Sequence, residues 1–127
     1  MFPYMYYNPN PWALTQKYNI LIELDKRILT LYTNGTVYKT YTVAIGKPST
    51  PSPRGIFKIK NKAYNPGGPF GSRWMGLTAP GGSYGIHGTN NPSSIGNAAS
   101  AGCIRMYNHD VIELYNLVSI GTVVEIK

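Results

Sequence analysis

The sequence predicts a mainly β fold, a sandwich or barrel of short strands with one helix near its end. Three observations carry that expectation. Segments alternating between apolar and polar residues succeed one another from Tyr18 onward. Glycine, proline and asparagine interrupt them at short intervals. Only the residues after Asn108 space their apolar side chains as a helix does. Alternation sends successive side chains to opposite faces, as a half-buried strand requires.

Taken in order, residues 1–16 are rich in Tyr, Pro, Asn and Met. Pro3, Pro9 and Pro11 forbid regular structure there, so an extended N-terminal arm is expected ahead of a single domain at 17–127. In that domain Tyr18, Ile20, Ile22 and Leu24 alternate, Asp25-Lys26 turns, and Ile28, Leu29, Leu31 and Tyr32 return. Asn34-Gly35 is a two-residue hairpin signal, with a strand expected from Thr36 to Ile45. A Pro/Ser/Thr loop occupies 46–53, and Gly55 to Ile59 reads as a further strand. Residues 60–86 differ in kind: seven of the fourteen glycines lie between Gly67 and Gly85, with Pro66, Pro69 and Pro80. A structureless segment of this length is usually functional. Its Phe70, Arg73, Trp74, Met75 and Tyr84 are expected to wall a groove. The helix has Asn108 as its expected N-cap and Asp110 in its first turn, with Val111, Leu114, Tyr115 and Val118 as its apolar face. Thr122 to Ile126 closes the domain as a strand.

Composition excludes several classes. At 127 residues, one domain buries roughly two thirds of its unfolded surface, and 43% apolar residues suit a packed globule. One cysteine rules out internal disulfides, and with two histidines it leaves too few ligands for a structural zinc. Neither a metal nor a cofactor is expected. No run approaches the roughly 18 apolar residues of a membrane span. Residues 1–12 lack the basic and apolar regions of a signal peptide.

The formal net charge is +7, but its arrangement says more. All five acids lie towards the ends, at Glu23, Asp25, Asp110, Glu113 and Glu125. Between Lys26 and His109 there are ten Lys/Arg and no acid. Such a field suits an anionic partner: nucleic acid, a membrane surface, or a wall polymer such as peptidoglycan with teichoic acids. It equally suits a plain solubility surface. No nucleic-acid motif accompanies it, so nucleic acid is not the expected partner.

The chemistry concentrates in Ile86-His87-Gly88-Thr89-Asn90 and Ser100-Ala101-Gly102-Cys103-Ile104-Arg105. The only cysteine and one of two histidines stand sixteen positions apart, each beside glycine. That is the pattern of a nucleophile and its base. The bland alternative is a small buried hydrophobe at Cys103. A thiol with an ordinary pKa near 8.5 needs help at neutral pH, and His87 supplies it by taking the proton, giving a thiolate–imidazolium pair. Amides around Gly102 and Cys103 are candidate oxyanion donors. Arg105 is a candidate clamp for a substrate carboxylate. With no acid nearby, the imidazole must be oriented by a backbone carbonyl (Gly88), by an amide such as Asn90, or by a distant carboxylate. The same absence argues against a glycosidase. His109 reads as a solvated residue at the helix start.

At these residues the chain resembles the L,D-transpeptidase catalytic domain of the YkuD type over about 17–127. The blocks, in order, are Ala44-Ile45-Gly46-Lys47, Thr50-Pro51-Ser52-Pro53-Arg54-Gly55-Ile56-Phe57, Gly85 to Asn90, Ser100 to Met106, and the last helix and strand. The resemblance implies a β-sandwich whose cysteine loop opens into a groove under a flap, here the Gly-rich segment. It implies that Cys103 attacks the carbonyl of the L-centred third residue of a peptidoglycan stem tetrapeptide and releases D-alanine. The thioester then passes to an amine of a second stem, giving a 3→3 cross-link. His87 maps to the base and Gly88 to its orienting carbonyl. Ser100, Ala101 and Gly102 fall in the oxyanion motif and Arg105 on a substrate-binding arginine, with Trp74, Tyr84 and Asn90 as further substrate-side candidates. Many members carry histidine where Ala101 stands, so the base here must be His87. The resemblance further implies acylation by carbapenems, action as a monomer, and a place in the bacterial envelope or spore. Water as acceptor would instead make the chain an L,D-carboxypeptidase. A non-catalytic wall-binding module is the other alternative.

Overall fold

The alternation near the start of the chain builds one end of a curled sheet. The computed structural model describes residues 17–127, so the expected arm at 1–16 lies outside the described residues. β1 (Tyr18–Glu23) and β2 (Ile28–Thr33) pair antiparallel, Ile20 opposite Leu31 and Ile22 opposite Leu29, all four fully buried. Asn34 and Gly35 both take positive φ, 51° and 82°, as the tight hairpin into β3 (Thr36–Thr42) requires.

The strand expected to run on to Ile45 breaks earlier. Val43 and Ala44 are both fully buried, so alternation ends there. The short β4 (Ile45–Gly46) leaves to pair in parallel with β8 (Ala98–Ser100). Gly46 is glycine because an added Cβ would sit 2.2 Å from the Thr50 carbonyl. The Pro/Ser loop is thereby wrapped against the strand, and the Ser52 hydroxyl accepts the Gly46 N–H at 2.9 Å.

A second correction concerns residues 60–86, which are not structureless. β5 (Gly55–Tyr64) is twice its expected length and pairs antiparallel with β6 (Arg73–Leu77), which pairs in turn with β7 (Gly85–His87). The apolar residues of β6 are Trp74, Met75 and Leu77, with Gly76 breaking the run. That glycine is required because the Asn61 carboxamide lies where its Cβ would be, Oδ1 2.3 Å away. Irregular backbone is confined to the hairpin tip at 65–72 and the loop at 78–84. The Gly-rich flap is therefore a β-hairpin with a glycine-rich tip.

β9 (Ile104–Arg105) pairs in parallel with β7, and β10 (Val123–Ile126) inserts between β1 and β5. The eight-stranded order is β3-β2-β1-β10-β5-β6-β7-β9. Between β9 and β10 lies α1 (Asn108–Leu117). It docks through Val111 and Leu114, both fully buried, each side chain worth about 1.5–3 kcal/mol. Tyr107 is the N-cap residue and Asn108 the first helical residue, so the expected Asn108 cap is also corrected. Its carboxamide is engaged elsewhere.

Candidate active site

β7 and β9 bring the two motifs together. Their register sets Ile86 beside Ile104 and His87 beside Arg105, with Cys103 just ahead of β9. Ile86 and Ile104 are fully buried and anchor the strands to the core, while the residues on either side face the site.

Three contacts hold the imidazole. His87 is 4% exposed, and its Nδ1 lies 2.5 Å from the Gly88 carbonyl oxygen. A carbonyl only accepts, so Nδ1 carries the proton and the neutral ring keeps its lone pair on Nε2. Trp74, the register partner of His87 across β6–β7, stacks on the ring at 5.7 Å, and Phe70 meets it edge-on at 5.2 Å. The Trp74 indole lies so close over Gly85 that a Cβ there would come within 2.6 Å of it. Its Nε1 donates to the Asn61 carboxamide at 3.1 Å.

The thiol is half-buried and rests on the 83–85 loop, donating to the Ser83 carbonyl at 3.5 Å. No hydrogen bond joins it to His87 among the described residues. Burial is the main influence on both groups. It pushes the His87 imidazole below its usual 6.5, with Arg105 acting the same way and the Gly88 carbonyl opposing. It pushes the Cys103 thiol above 9.0, against an amide hydrogen bond from Gly85 and the charge of Arg105. Both directions favour neutral groups at pH 7. Burial thus works against the thiolate–imidazolium pair expected from the sequence.

Ser100 organises the loop before the thiol. Its hydroxyl accepts the Gly102 N–H at 3.0 Å and donates to the Cys103 carbonyl at 2.5 Å. Its own carbonyl accepts from Thr50 Oγ1 and from the Lys47 amide. The Gly102 amide is thus engaged within the loop. Gly102 has φ +124° and faces Tyr84, whose Cε1 would be 2.6 Å from an added Cβ. Ala101 is exposed.

The other candidates separate cleanly. Phe70, Trp74 and Tyr84 stand at the site; Met75 and Arg73 do not. Met75 is fully buried in the core. Arg73 points away from the imidazole, its guanidinium 3.7 Å from the centre of the Tyr64 ring and 5.3 Å from that of Tyr115 on α1. Strand alternation explains the split, since Trp74 faces His87 and its neighbours face elsewhere. Asn90 is exposed and makes no hydrogen bond to the imidazole; the orienter is Gly88. His109 is exposed, stacks on Tyr107 and pairs with Asp110 at 3.2 Å.

The residue that the sequence concealed is Asn108. Its Oδ1 accepts from the Ser72 and Thr89 amides, each at 3.1 Å, and its Nδ2 donates to the Thr89 carbonyl at 2.9 Å. An asparagine opening a helix looks like a cap, and nothing in its spacing reveals two loops converging on it.

A free thiol and a buried imidazole with its lone pair on Nε2, brought to one end of the sheet by β7 and β9, are the groups of a cysteine acyl-transfer enzyme. Residues 17–126 match the YkuD family of L,D-transpeptidase catalytic domains, and the chain belongs to that family. It is 54% identical over 112 residues to the YkuD protein of Bacillus licheniformis, covering 88% of this chain and 67% of that one. With the YkuD protein of Bacillus subtilis it shares 51% over 119 residues, covering 94% and 70%. Among solved structures, the Enterococcus faecium L,D-transpeptidase catalytic domain superposes with a TM-score of 0.71 at 25% identity, covering 89% of this chain and 99% of that one. The Mycobacterium tuberculosis L,D-transpeptidase 3, solved with a faropenem-derived adduct, gives 0.76 at 17% identity, a likeness of fold. This chain spans 60% of that protein's length.

Proposed function

We propose that the chain is a peptidoglycan L,D-transpeptidase in which Cys103 is the nucleophile and His87 the base. The single observation that carries the assignment is the Gly88 carbonyl on His87 Nδ1, which leaves Nε2 as the proton acceptor. Rotation of the thiol away from the Ser83 carbonyl aims it at the substrate. Nε2 takes the thiol proton as sulfur bonds to the carbonyl carbon of the L-centred third stem residue. The oxyanion is received by the Cys103 amide in the loop that Ser100 holds rigid. The carbon–nitrogen bond breaks, the imidazolium protonates the departing D-alanine amine, and a thioester remains. An acceptor amine then gives its proton to Nε2 while forming an amide, and the carbon–sulfur bond breaks with sulfur taking that proton from the imidazolium to return the thiol.

Arg105 favours the substrate carboxylate by charge, and Phe70 and Trp74 beside the imidazole and Tyr84 against Gly102 supply apolar surface for the stem. The basic middle of the chain supports an anionic wall polymer as partner, and action in the envelope or spore as a monomer is part of the same proposal. The test has two arms. Intact mass after exposure to a carbapenem is expected to show one covalent adduct on wild type and none on Cys103→Ala; an equal adduct on the variant would overturn the nucleophile. Muropeptides from sacculi treated with the protein are expected to gain 3→3 cross-linked dimers. Tripeptides alone would indicate a carboxypeptidase, and unchanged muropeptides with retained binding a wall-binding module.

A further inference from the structure

The peptide group between Gly88 and Thr89 is gripped at both ends. Its carbonyl oxygen, on Gly88, holds the His87 Nδ1 proton. Its N–H, on Thr89, donates to Asn108 Oδ1 at 3.1 Å. Asn108 Nδ2 donates to the next carbonyl, that of Thr89, at 2.9 Å, so the side chain pairs with Thr89 at two points as a neighbouring strand would. The same Oδ1 accepts the Ser72 amide from the flap tip at 3.1 Å.

The junction is built tightly enough to need glycine twice. A Cβ at Gly88 would lie 2.1 Å from Asn108 Oδ1, and one at Gly71 would lie 2.3 Å from it. Gly71 also has φ +65°. Two glycines let two backbones close on one carboxamide. Gly88 and Thr89 are buried whereas Asn108 itself is exposed, so its side chain reaches inward from the surface and is not needed to fill the core.

We propose that Asn108 is a positioning residue for the catalytic base, setting the plane of the Gly88–Thr89 peptide and coupling it to the flap. A hydrogen bond to one end of an amide polarises the other end. The chain Asn108 Oδ1, Thr89 N–H, Gly88 C=O and His87 Nδ1–H therefore fixes both the orientation and the tautomer of the imidazole. Because Ser72 shares the acceptor, displacement of the flap tip perturbs the same carboxamide. Substrate that moves the flap thereby adjusts the base. The charged side chain acting on His87 is Arg105 from β9, and α1 contributes the neutral carboxamide.

The inference rests on the reading of His87 as base, and the test keeps the two separable. Wild type, Asn108→Ala, Asn108→Asp and the neighbouring control His109→Ala are compared as full chains. Imidazole 15N NMR reports the tautomer with no substrate present, and the carbapenem acylation rate is followed against pH. Asn108→Ala is expected to melt close to wild type, mix the two imidazole tautomers and acylate about ten-fold more slowly. Asn108→Asp keeps an acceptor for the Thr89 and Ser72 amides. It is expected to keep the Nδ1–H tautomer and, through its charge, to move the acidic limb of the rate profile to higher pH. His109→Ala is expected to match wild type. A wild-type tautomer with a rate within two-fold in Asn108→Ala overturns the proposal. So does equal slowing in Ala and Asp with no shift of the acidic limb, which is the signature of a purely structural residue. Absence of acylation in wild type would instead overturn the enzymatic reading, leaving the tautomer comparison to decide Asn108 alone.

Discussion

Trp74 lies face to face with His87, ring centroids 5.7 Å apart and planes 18° from parallel. The contact follows from their pairing across β6 and β7, and it removes water from one face of the imidazole. Desolvation is the largest influence holding that ring below pH 6.5, so Trp74 contributes directly to keeping the base unprotonated. With His87 as the proposed base, the neutral ring is the form that accepts the thiol proton. Acylation is therefore expected to fall as pH drops below 6.5 and to level off above it. Folding stability follows the same sign, because the unfolded chain binds the proton more readily and the folded one loses stability in acid. Trp74→Ala is expected to move the acidic limb up towards 6.5 and to slow acylation several-fold. A carbapenem rate–pH profile checks this; an unmoved limb would show that burial by Trp74 is not the cause.

Gly102 ties the nucleophile loop to Tyr84. With φ +124° and Tyr84 Cε1 at 2.6 Å from an added Cβ, Gly102→Ala meets both backbone strain and a ring. The strain alone costs about 1–3 kcal/mol. The variant is expected to melt several degrees lower and to acylate at least ten-fold more slowly. Adding Tyr84→Ala is expected to recover only the steric part. Full recovery of melting temperature in the double variant would mean that the positive φ carries no cost.

The first hairpin was legible because local chemistry decides it: Asn34-Gly35 demands the turn, and alternation from Tyr18 demands the strands. His87, Gly88 and Cys103 were legible as a set because each motif is contiguous. What stayed hidden was decided by contacts between distant segments. β6 reads as loop because Asn61, across the sheet, forces a glycine into its middle. Arg73 and Trp74 are neighbours in sequence, yet pairing register sends one to α1 and the other to the base. The burial that works against a thiolate–imidazolium pair was also out of reach, since tertiary packing sets it.

Arg73 works as a clasp between flap and helix. It is 7% exposed, lies over the Tyr64 ring at 3.7 Å and within 5.3 Å of the Tyr115 ring, and donates to Asn65 Oδ1 at 2.9 Å and the Ser72 carbonyl at 2.7 Å. Arg73→Ala removes a desolvated cation–π contact and two charge-assisted hydrogen bonds, a loss of about 2–4 kcal/mol. Limited proteolysis is expected to cut first within 65–72 in the variant, with the melting temperature lowered. Unchanged protection of that segment would show that the β5–β6 ladder alone holds the flap.

Ala101 stands where many sequences that the chain resembles carry a second imidazole besides the one at His87. The side chain is exposed, while the Ser100 hydroxyl and the Gly102 amide on either side are already paired with each other. A histidine at 101 would therefore extend into solvent without disturbing the loop, and would lack a carbonyl to fix its tautomer as Gly88 fixes that of His87. Ala101→His is expected to change the acylation rate less than ten-fold, whereas His87→Ala is expected to lower it at least a hundred-fold, the usual reach of general base catalysis. The double variant is the decisive measurement. If His87→Ala with Ala101→His recovers the wild-type rate, the 101 position can serve as base and the Gly88 interaction is dispensable. If it stays as slow as His87→Ala alone, proton transfer depends on the one imidazole whose Nε2 is held free by its backbone partner.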